Sequence, residues 1–296
     1  MIKSFFDNNQ IEYKENISLK NYNTYRINTI ASYIVFPKDV NELITILKKL
    51  KKEKIKYLVL GNGSNIILSM EYFDGVIIKL DNLCKVKYDG NIVTVEAGYP
   101  LIKLAIEASN KGLAGLTFAT GIPGTVGAST AMNAGAYNSD MSSVVSSVLV
   151  LDDKMNLVIL KNEDLEYTYR DSFLKRHPEY IVLLTILKLE PGDVDEMRTQ
   201  IEERRKKRLA SQPLNMPNAG SVFRNPPNMY AGELIEKLNL KGYTIGGAKI
   251  SEKHANFIVN NGNATGKDIV DLIKKVEEDV KKEYNVELKL EQIIIQ

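Results

Sequence analysis

Four short segments of the 296-residue chain carry residue types and spacings that could do chemistry. The first is Gly61-Asn62-Gly63-Ser64-Asn65, entered from the apolar run Tyr57–Leu60. Two glycines let the backbone turn sharply and approach a ligand, presenting successive N–H groups to an anion, and Ser64 and Asn65 add side-chain donors. The segment is not a dinucleotide fingerprint, because Ile66 stands at the third glycine position. It also lacks the Gly-Lys-Ser/Thr of a P-loop. A tight strand–strand turn is the competing reading. The second segment is Gly121-Ile122-Pro123-Gly124-Thr125-Val126-Gly127-Ala128-Ser129, followed by Met132-Asn133-Ala134-Gly135-Ala136-Tyr137. Small residues over this length suit a backbone packed against a flat or extended ligand, and Ile122, Val126 and Met132, spaced through it, argue against a flexible linker.

The third segment is Tyr169-Arg170-Asp171-Ser172-Phe173. An arginine among aromatics is more often a salt bridge than a catalyst, so alone it says little. The fourth is Asn218-Ala219-Gly220-Ser221-Val222-Phe223-Arg224-Asn225-Pro226. Ser221 follows a glycine, as a nucleophile would in an elbow, but Phe223 occupies the place of the last glycine and no histidine base lies nearby in sequence. A serine hydrolase is disfavoured. A serine hydroxyl acting as a proton donor stays open. Two basic runs, Lys48–Lys54 and Arg204–Arg208, read first as solvated helix faces, the second being dense enough to steer an anionic substrate.

Composition narrows the classes. A net charge of +2 gives little basis for non-specific nucleic-acid binding, which rests on neutralising many phosphates. One cysteine, Cys84, excludes an internal disulfide framework and multi-cysteine metal sites. The two histidines, His177 and His254, are too far apart in sequence to suggest a His-rich metal site. The start, Met1 to Asn9, turns polar before a signal-peptide core forms, and the apolar run Ile181–Leu187 is far short of a membrane span. A cytoplasmic, metal-free soluble protein is expected.

The elements that must position these segments alternate in the first third of the chain. Strands are predicted at Tyr33–Phe36, Tyr57–Leu60 and Val76–Leu80, and a hairpin at Lys85–Tyr88 and Ile92–Ala97. Helices are predicted where Val40, Leu43, Ile44, Leu47 and Leu50 recur, and again at Leu101, Leu104, Ala105 and Ala108. Val144–Leu151, Leu157–Leu160 and Tyr180–Leu189 read as strands of a second sheet, followed by a charged helix from about Val194 to Arg208. A polar loop over Gln212–Asn228 and a short helix from Ala231 to Leu238 come next. Thr265-Gly266-Lys267-Asp268 has the form of a capping box, and the helix it opens buries Ile269, Leu272, Ile273, Val276 and Val280. Val286–Leu290 and Ile293–Ile295 read as terminal strands.

Taken together and in this order, the segments resemble the UDP-N-acetylenolpyruvoylglucosamine reductase family, the flavoenzymes of bacterial cell-wall precursor synthesis. The resemblance runs from Asn23-Thr24-Tyr25-Arg26 to the C-terminal strand. Its most specific parts are Gly121–Gly127, Asn133–Tyr137, Ala219–Pro226, Ile245-Gly246-Gly247-Ala248 and Lys253–Asn260. The length, without a lid insertion, is similar to the shorter class of the family. The resemblance implies an α+β / α/β fold, a two-subdomain FAD-binding fold of the PCMH/vanillyl-alcohol-oxidase type followed by a C-terminal α+β substrate-binding domain. The boundaries it suggests are 1–82, 83–192 and 193–296.

The resemblance also implies roles. FAD pyrophosphate is expected near Gly61, Asn62, Gly63, Ser64 and Asn65, and the flavin along Gly121, Ile122, Gly124, Thr125, Gly127 and Ala128. NADPH is the implied co-substrate and UDP-N-acetylglucosamine enolpyruvate the substrate, in a ping-pong cycle within a monomer. Arg170, Ser221 and Glu291 match the catalytic positions, and Tyr137, Arg224, Asn225 and His254 match substrate contacts; no metal is implied. The chain departs from the family pattern at Ile27-Asn28-Thr29, where glycines are common, and at Ala128, which adds a methyl. Arg224 replaces a common lysine, and Ile293 a basic residue. An FAD-dependent oxidase of another small molecule and a non-catalytic nucleotide-sugar-binding protein are the alternative readings.

Overall fold

A computed structural model describes residues 2–296. The chain divides into two units. One holds the residues up to Glu15 together with Tyr33–Gly61 and Gly75–Arg205, and the other holds Asn16–Ser32, Asn62–Asp74 and Lys206–Gln296.

In the first unit the helix Val40–Lys52 starts where Asp39 accepts the N–H of Glu42 at 2.8 Å. Its Leu43, Ile46, Leu47 and Leu50 are fully buried, and Val40 and Ile44 pack partly against the same core. The strand Tyr57–Val59 pairs in parallel with residues 76–78, and the Lys79 N–H reaches the Val35 carbonyl at 3.0 Å. A five-stranded antiparallel sheet has the order Leu157–Lys161, Val145–Leu151, Ile181–Lys188, Ile92–Glu96, Val86–Asp89. The hairpin of residues 86–96 thus joins the later strands in one sheet. The helix Leu101–Asn110 buries Leu101, Leu104, Ala105 and Ala108. The small-residue stretch contains the short helix Val126–Ala131, so it is ordered backbone rather than a linker. The charged helix spans Val194–Ser211, its residues to Arg205 belonging to this unit and those from Lys206 to the second, and buries Met197 alone of its residues.

In the second unit the long helix Gly266–Tyr284 has the expected capping box. Thr265 Oγ1 accepts the Asp268 N–H at 3.1 Å, and Asp268 accepts the Thr265 N–H at 2.9 Å. Its predicted stripe, Ile269 to Val280, is buried. A three-stranded sheet of Thr244–Ile245, Ala248–Ile250 and Ile258–Asn260 carries no periodic signal in the sequence, its strands being two or three residues long. Ile293–Ile295 is a strand, pairing in parallel with Ile66–Leu68. Residues 286–290 are not. There the chain makes a single bridge, Leu290 to Phe223, with the Arg224 N–H on the Lys289 carbonyl at 2.8 Å, and no ladder. No helix among the described residues is long and apolar enough to cross a membrane, and no group of three or more potential metal ligands occurs among them.

Candidate active site

Gly61–Asn65 is not a hairpin turn, since the strands it joins have different partners: Tyr57–Val59 pairs with residues 76–78, and Ile66–Leu68 with Ile293–Ile295. The N–H groups of Gly61, Gly63, Ser64 and Asn65 meet no acceptor among the described residues. Gly63 is buried, and a buried N–H without a partner is costly unless a ligand supplies the acceptor. This donor set suits a pyrophosphate. Gly63 has φ +61°, and a Cβ there would sit 2.3 Å from the Tyr22 carbonyl oxygen. Gly63→Ala is therefore expected to cost more than the roughly 1–2 kcal/mol of the left-handed backbone alone. Thermal unfolding of the apo-protein checks this, and an unchanged midpoint would contradict it.

In the first unit, Gly61 meets the second glycine-rich segment. A Cβ built on Gly61 would lie 3.0 Å from both the Ala128 Cβ and the Thr125 Oγ1. Ala128 is exposed, so its methyl lies on the open side of this wall, while Gly124, Thr125 and Gly127 are buried behind it. Lys79, 3% exposed, donates to the Gly61 carbonyl and pairs with Asp81 at 3.1 Å. It lies at the end of the apolar run Val76–Ile78 and gave no signal in the sequence beyond its charge.

Arg170 is also in the first unit, in the left-handed region at φ 58°. Its turn is closed by reciprocal N–H to carbonyl bonds between Thr168 and Asp171, both 3.1 Å. Its guanidinium donates to the Gly135 carbonyl, and Lys175 Nζ donates to the Arg170 carbonyl at 2.8 Å. Asn133, buried and with φ 44°, ties this turn to the hairpin that carries Gly135. It donates to the Thr168 carbonyl at 2.9 Å and accepts the Ser142 N–H at 3.0 Å. The Asn133–Tyr137 motif therefore serves partly to aim Arg170. Tyr137 lies at the hairpin tip with φ 55°; the Arg204 guanidinium sits 4.6 Å from its ring centroid and also donates to Thr117 Oγ1 at 2.9 Å.

In the second unit, Ser221, Arg224 and Glu291 come together although 70 residues separate the first and last. The Glu291 N–H donates to the Val222 carbonyl at 2.9 Å and the Arg224 N–H to the Lys289 carbonyl at 2.8 Å. Arg224 Nε and Glu291 Oε2 form an ion pair at 3.4 Å. Asn65 Nδ2 donates to the Glu291 carbonyl at 3.1 Å, tying residues 62–65 to the same segment. Asn256 clamps the chain just beyond Ser221: it accepts the Phe223 N–H at 3.0 Å, donates to the Phe223 carbonyl at 2.8 Å, and its own carbonyl takes the Val222 N–H at 2.9 Å. The Ser221 hydroxyl has no hydrogen-bond partner among the described residues, and the side chain is part-exposed. Arg170 belongs to the first unit, whereas Ser221 and Glu291 belong to the second.

The other expected contacts have structural tasks. Asn225 accepts the Ala231 N–H at 3.1 Å, at the start of the helix Ala231–Lys237. His254 Nδ1 accepts the Asn256 N–H at 3.2 Å, so the neutral ring carries its proton on Nε2. Burial, and then the nearby Lys241 charge, holds His254 below its ordinary value of 6.5. The folded chain thus disfavours the imidazolium, and the unfolded chain takes up the proton first. This stability is present above the ordinary value and is lost as pH falls through the depressed one. Melting between about pH 7 and pH 5 is expected to drop more for the native chain than for His254→Gln; equal slopes would contradict this. Ile27–Thr29 forms its turn without glycine: Asn23 Oδ1 accepts the Ile27 N–H at 2.9 Å, Arg26 takes φ 58°, and Thr29 Oγ1 donates to the Met70 carbonyl at 2.7 Å.

Comparison with known proteins gives the following. Residues 212–295 match the family model described as UDP-N-acetylenolpyruvoylglucosamine reductase, C-terminal domain, and residues 31–160 match that of an FAD binding domain. The UDP-N-acetylenolpyruvoylglucosamine reductase of Caldanaerobacter subterraneus subsp. tengcongensis is 43% identical over 273 residues, covering 92% of this chain and 90% of the relative. The crystal structure of UDP-N-acetylenolpyruvylglucosamine reductase from Thermus caldophilus superposes with a TM-score of 0.81 at 32% identity, covering 97% of this chain and 99% of that one. The glucooligosaccharide oxidase of Acremonium strictum, 13% identical, matches at a TM-score of 0.52 over 98% of this chain and 60% of its own, a likeness of fold alone. The expected fold class, an FAD-binding fold followed by a distinct C-terminal domain, is borne out.

Proposed function

The chain belongs to the UDP-N-acetylenolpyruvoylglucosamine reductase family, FAD-dependent oxidoreductases of peptidoglycan precursor synthesis, and from that premise we propose how its own residues carry the reaction. The proposed substrate is UDP-N-acetylglucosamine enolpyruvate, the product UDP-N-acetylmuramate, and the reductant NADPH, all of them soluble compounds of the cytoplasm. Residues 1–82 and 83–192 are assigned to FAD and residues 193–296 to the sugar nucleotide.

The free N–H groups of Gly61, Gly63, Ser64 and Asn65 would hold the pyrophosphate, and the wall from Gly121 through Ala128 the ring system. When bound, FAD would supply the hydride chemistry that no side chain here can. The chain's residues handle the charge and the proton. Hydride addition at C3 leaves electron density at C2, delocalised into the adjacent carboxylate, and such charge is stabilised by fixed donors aimed where it develops. Arg170, already oriented through Gly135 and Lys175, offers a planar fork of N–H groups that matches a carboxylate. Glu291, held beside Arg224, helps polarise the same intermediate.

Ser221 delivers the proton to C2. A hydroxyl is a weak acid, but a carbanionic centre is a very strong base, so the transfer runs downhill. The observation that carries this reading is the Ser221 hydroxyl itself: its backbone is held on both sides, and the hydroxyl is not committed to any partner among the described residues. Turnover under anaerobic conditions tests the reading as a whole. One NADPH is expected to be consumed per enolpyruvyl sugar nucleotide reduced. Oxygen-dependent turnover that needs no NADPH would favour an oxidase instead.

A further inference from the structure

Between Gly220 and the C-terminal strand lies an amide that the proposed chemistry does not use directly. Gln292 is 3% exposed, and its Nε2 lies 3.1 Å from the Ala219 carbonyl, 3.2 Å from that of Gly220 and 3.4 Å from that of Ser221. Three consecutive carbonyls converge on one nitrogen because Gly220 takes φ +77°, curling the chain around the amide. Carbonyls accept and never donate, so the nitrogen of Gln292 must face them and its Oε1 must point away. Oε1 meets the hydroxyl of Tyr25 at 3.0 Å. Tyr25 is fully buried, and its hydroxyl must donate because the only lone pairs offered are those of Oε1. The orientation of the amide is therefore fixed from both ends.

We infer that Gln292, with its amide oriented by the Tyr25 hydroxyl, is the positioning residue of the Ser221 proton donor. Its two N–H groups hold the backbone on the N-terminal side of the serine, as Asn256 holds Val222 and Phe223 on the other. Ser221 is thereby fixed between two buried amides drawn from distant parts of the chain, and its hydroxyl is free to point at the substrate. The local sequence adds only the Asn218 turn, whose Oδ1 accepts the Gly220 N–H at 2.9 Å; the Ser221 carbonyl and the residues beyond it are held from elsewhere in the chain. Glu291 immediately precedes Gln292, so one short segment carries both a polarising carboxylate and the anchor of the proton donor. The inference rests on the reading of Ser221 as that donor.

The test uses FAD-loaded enzyme reduced anaerobically with NADPH and then mixed with the enolpyruvyl sugar nucleotide. Gln292→Met fills similar space without donors and is expected to slow reoxidation about 10–100-fold while changing the NADPH step by less than about twofold, since a small misplacement of a reacting group costs on that scale. Tyr25→Phe frees the amide to turn and is expected to slow reoxidation about 3–10-fold. In the double variant Ser221→Ala/Gln292→Met, reoxidation is expected to be no slower than in Ser221→Ala within about twofold, because an anchor has nothing left to position. Multiplicative losses in the double variant, equal losses in both half-reactions, or unchanged reoxidation in both single variants would overturn the inference. If Gln292→Met fails to melt cooperatively, Tyr25→Phe decides alone, unchanged reoxidation refuting it. A Ser221→Ala enzyme that slows while Gln292→Met does not refutes this inference and leaves the donor reading standing; a Ser221→Ala enzyme that does not slow removes both.

Discussion

Replacing Ser221 with alanine is expected to leave bleaching by NADPH nearly intact and to slow reoxidation by the enolpyruvyl sugar nucleotide about 10³–10⁴-fold, the upper part of what a general acid contributes. The separation follows from how the segment is held. Ala219 to Ser221 are fixed through their carbonyls on Gln292, and Val222 and Phe223 through backbone groups on Asn256. None of these bonds involves the serine hydroxyl. Its removal leaves no buried group without a partner and should not disturb the fold. Rapid-mixing absorbance of the two half-reactions reads the effect. Equal loss in both would mean that Ser221 shapes the site rather than delivers a proton.

Arg170→Met is expected to lower kcat about 10²–10³-fold, the scale of losing a donor aimed at developing charge, with a smaller change in KM. Arg170→Lys should recover only part of this, since an ammonium cannot reproduce two parallel N–H bonds to a carboxylate. Both replacements meet the same left-handed backbone at φ 58° that arginine already occupies, so the comparison isolates the head group. The Gly135 carbonyl that loses the guanidinium is part-exposed and can turn to water. Steady-state kinetics decide. A rise in KM with kcat unchanged would show that Arg170 binds substrate without favouring the transition state.

What the sequence made legible was whatever is written locally. The helix Gly266–Tyr284 announces itself through Thr265, Asp268 and a five-residue apolar stripe, all within one stretch of chain. The hairpin of residues 86–96 and the helix Val40–Lys52 are equally local in origin. The short strands Thr244–Ile245, Ala248–Ile250 and Ile258–Asn260 escape because two or three residues give no periodicity. Val286–Leu290 alternates as a strand would, yet it has one bridge and no ladder. The site divides in the same way. Arg170 and Ser221 stand in segments that the residues alone mark, but their roles, and Glu291 altogether, come from the resemblance. Tyr25, Asn133 and Asn256 lie in the motifs that carry the resemblance, yet their sequence neighbourhoods show no task for them or for Gln292, because their work is done across the fold. Tyr25 and Gln292 stand 267 residues apart, and no pattern in either neighbourhood points to the other. Lys79 is a similar case, a charge whose partner, the Gly61 carbonyl, lies 18 residues away.

The proposed reaction passes reducing equivalents from NADPH to an enolpyruvyl sugar nucleotide in two separable steps. Anaerobic titration of the purified, FAD-loaded protein tests it most directly. NADPH alone should bleach the visible flavin absorbance, and UDP-N-acetylglucosamine enolpyruvate added afterwards should restore it with formation of UDP-N-acetylmuramate. A protein that takes up no FAD, or one that NADPH bleaches but the enolpyruvyl sugar nucleotide cannot restore, would contradict the account.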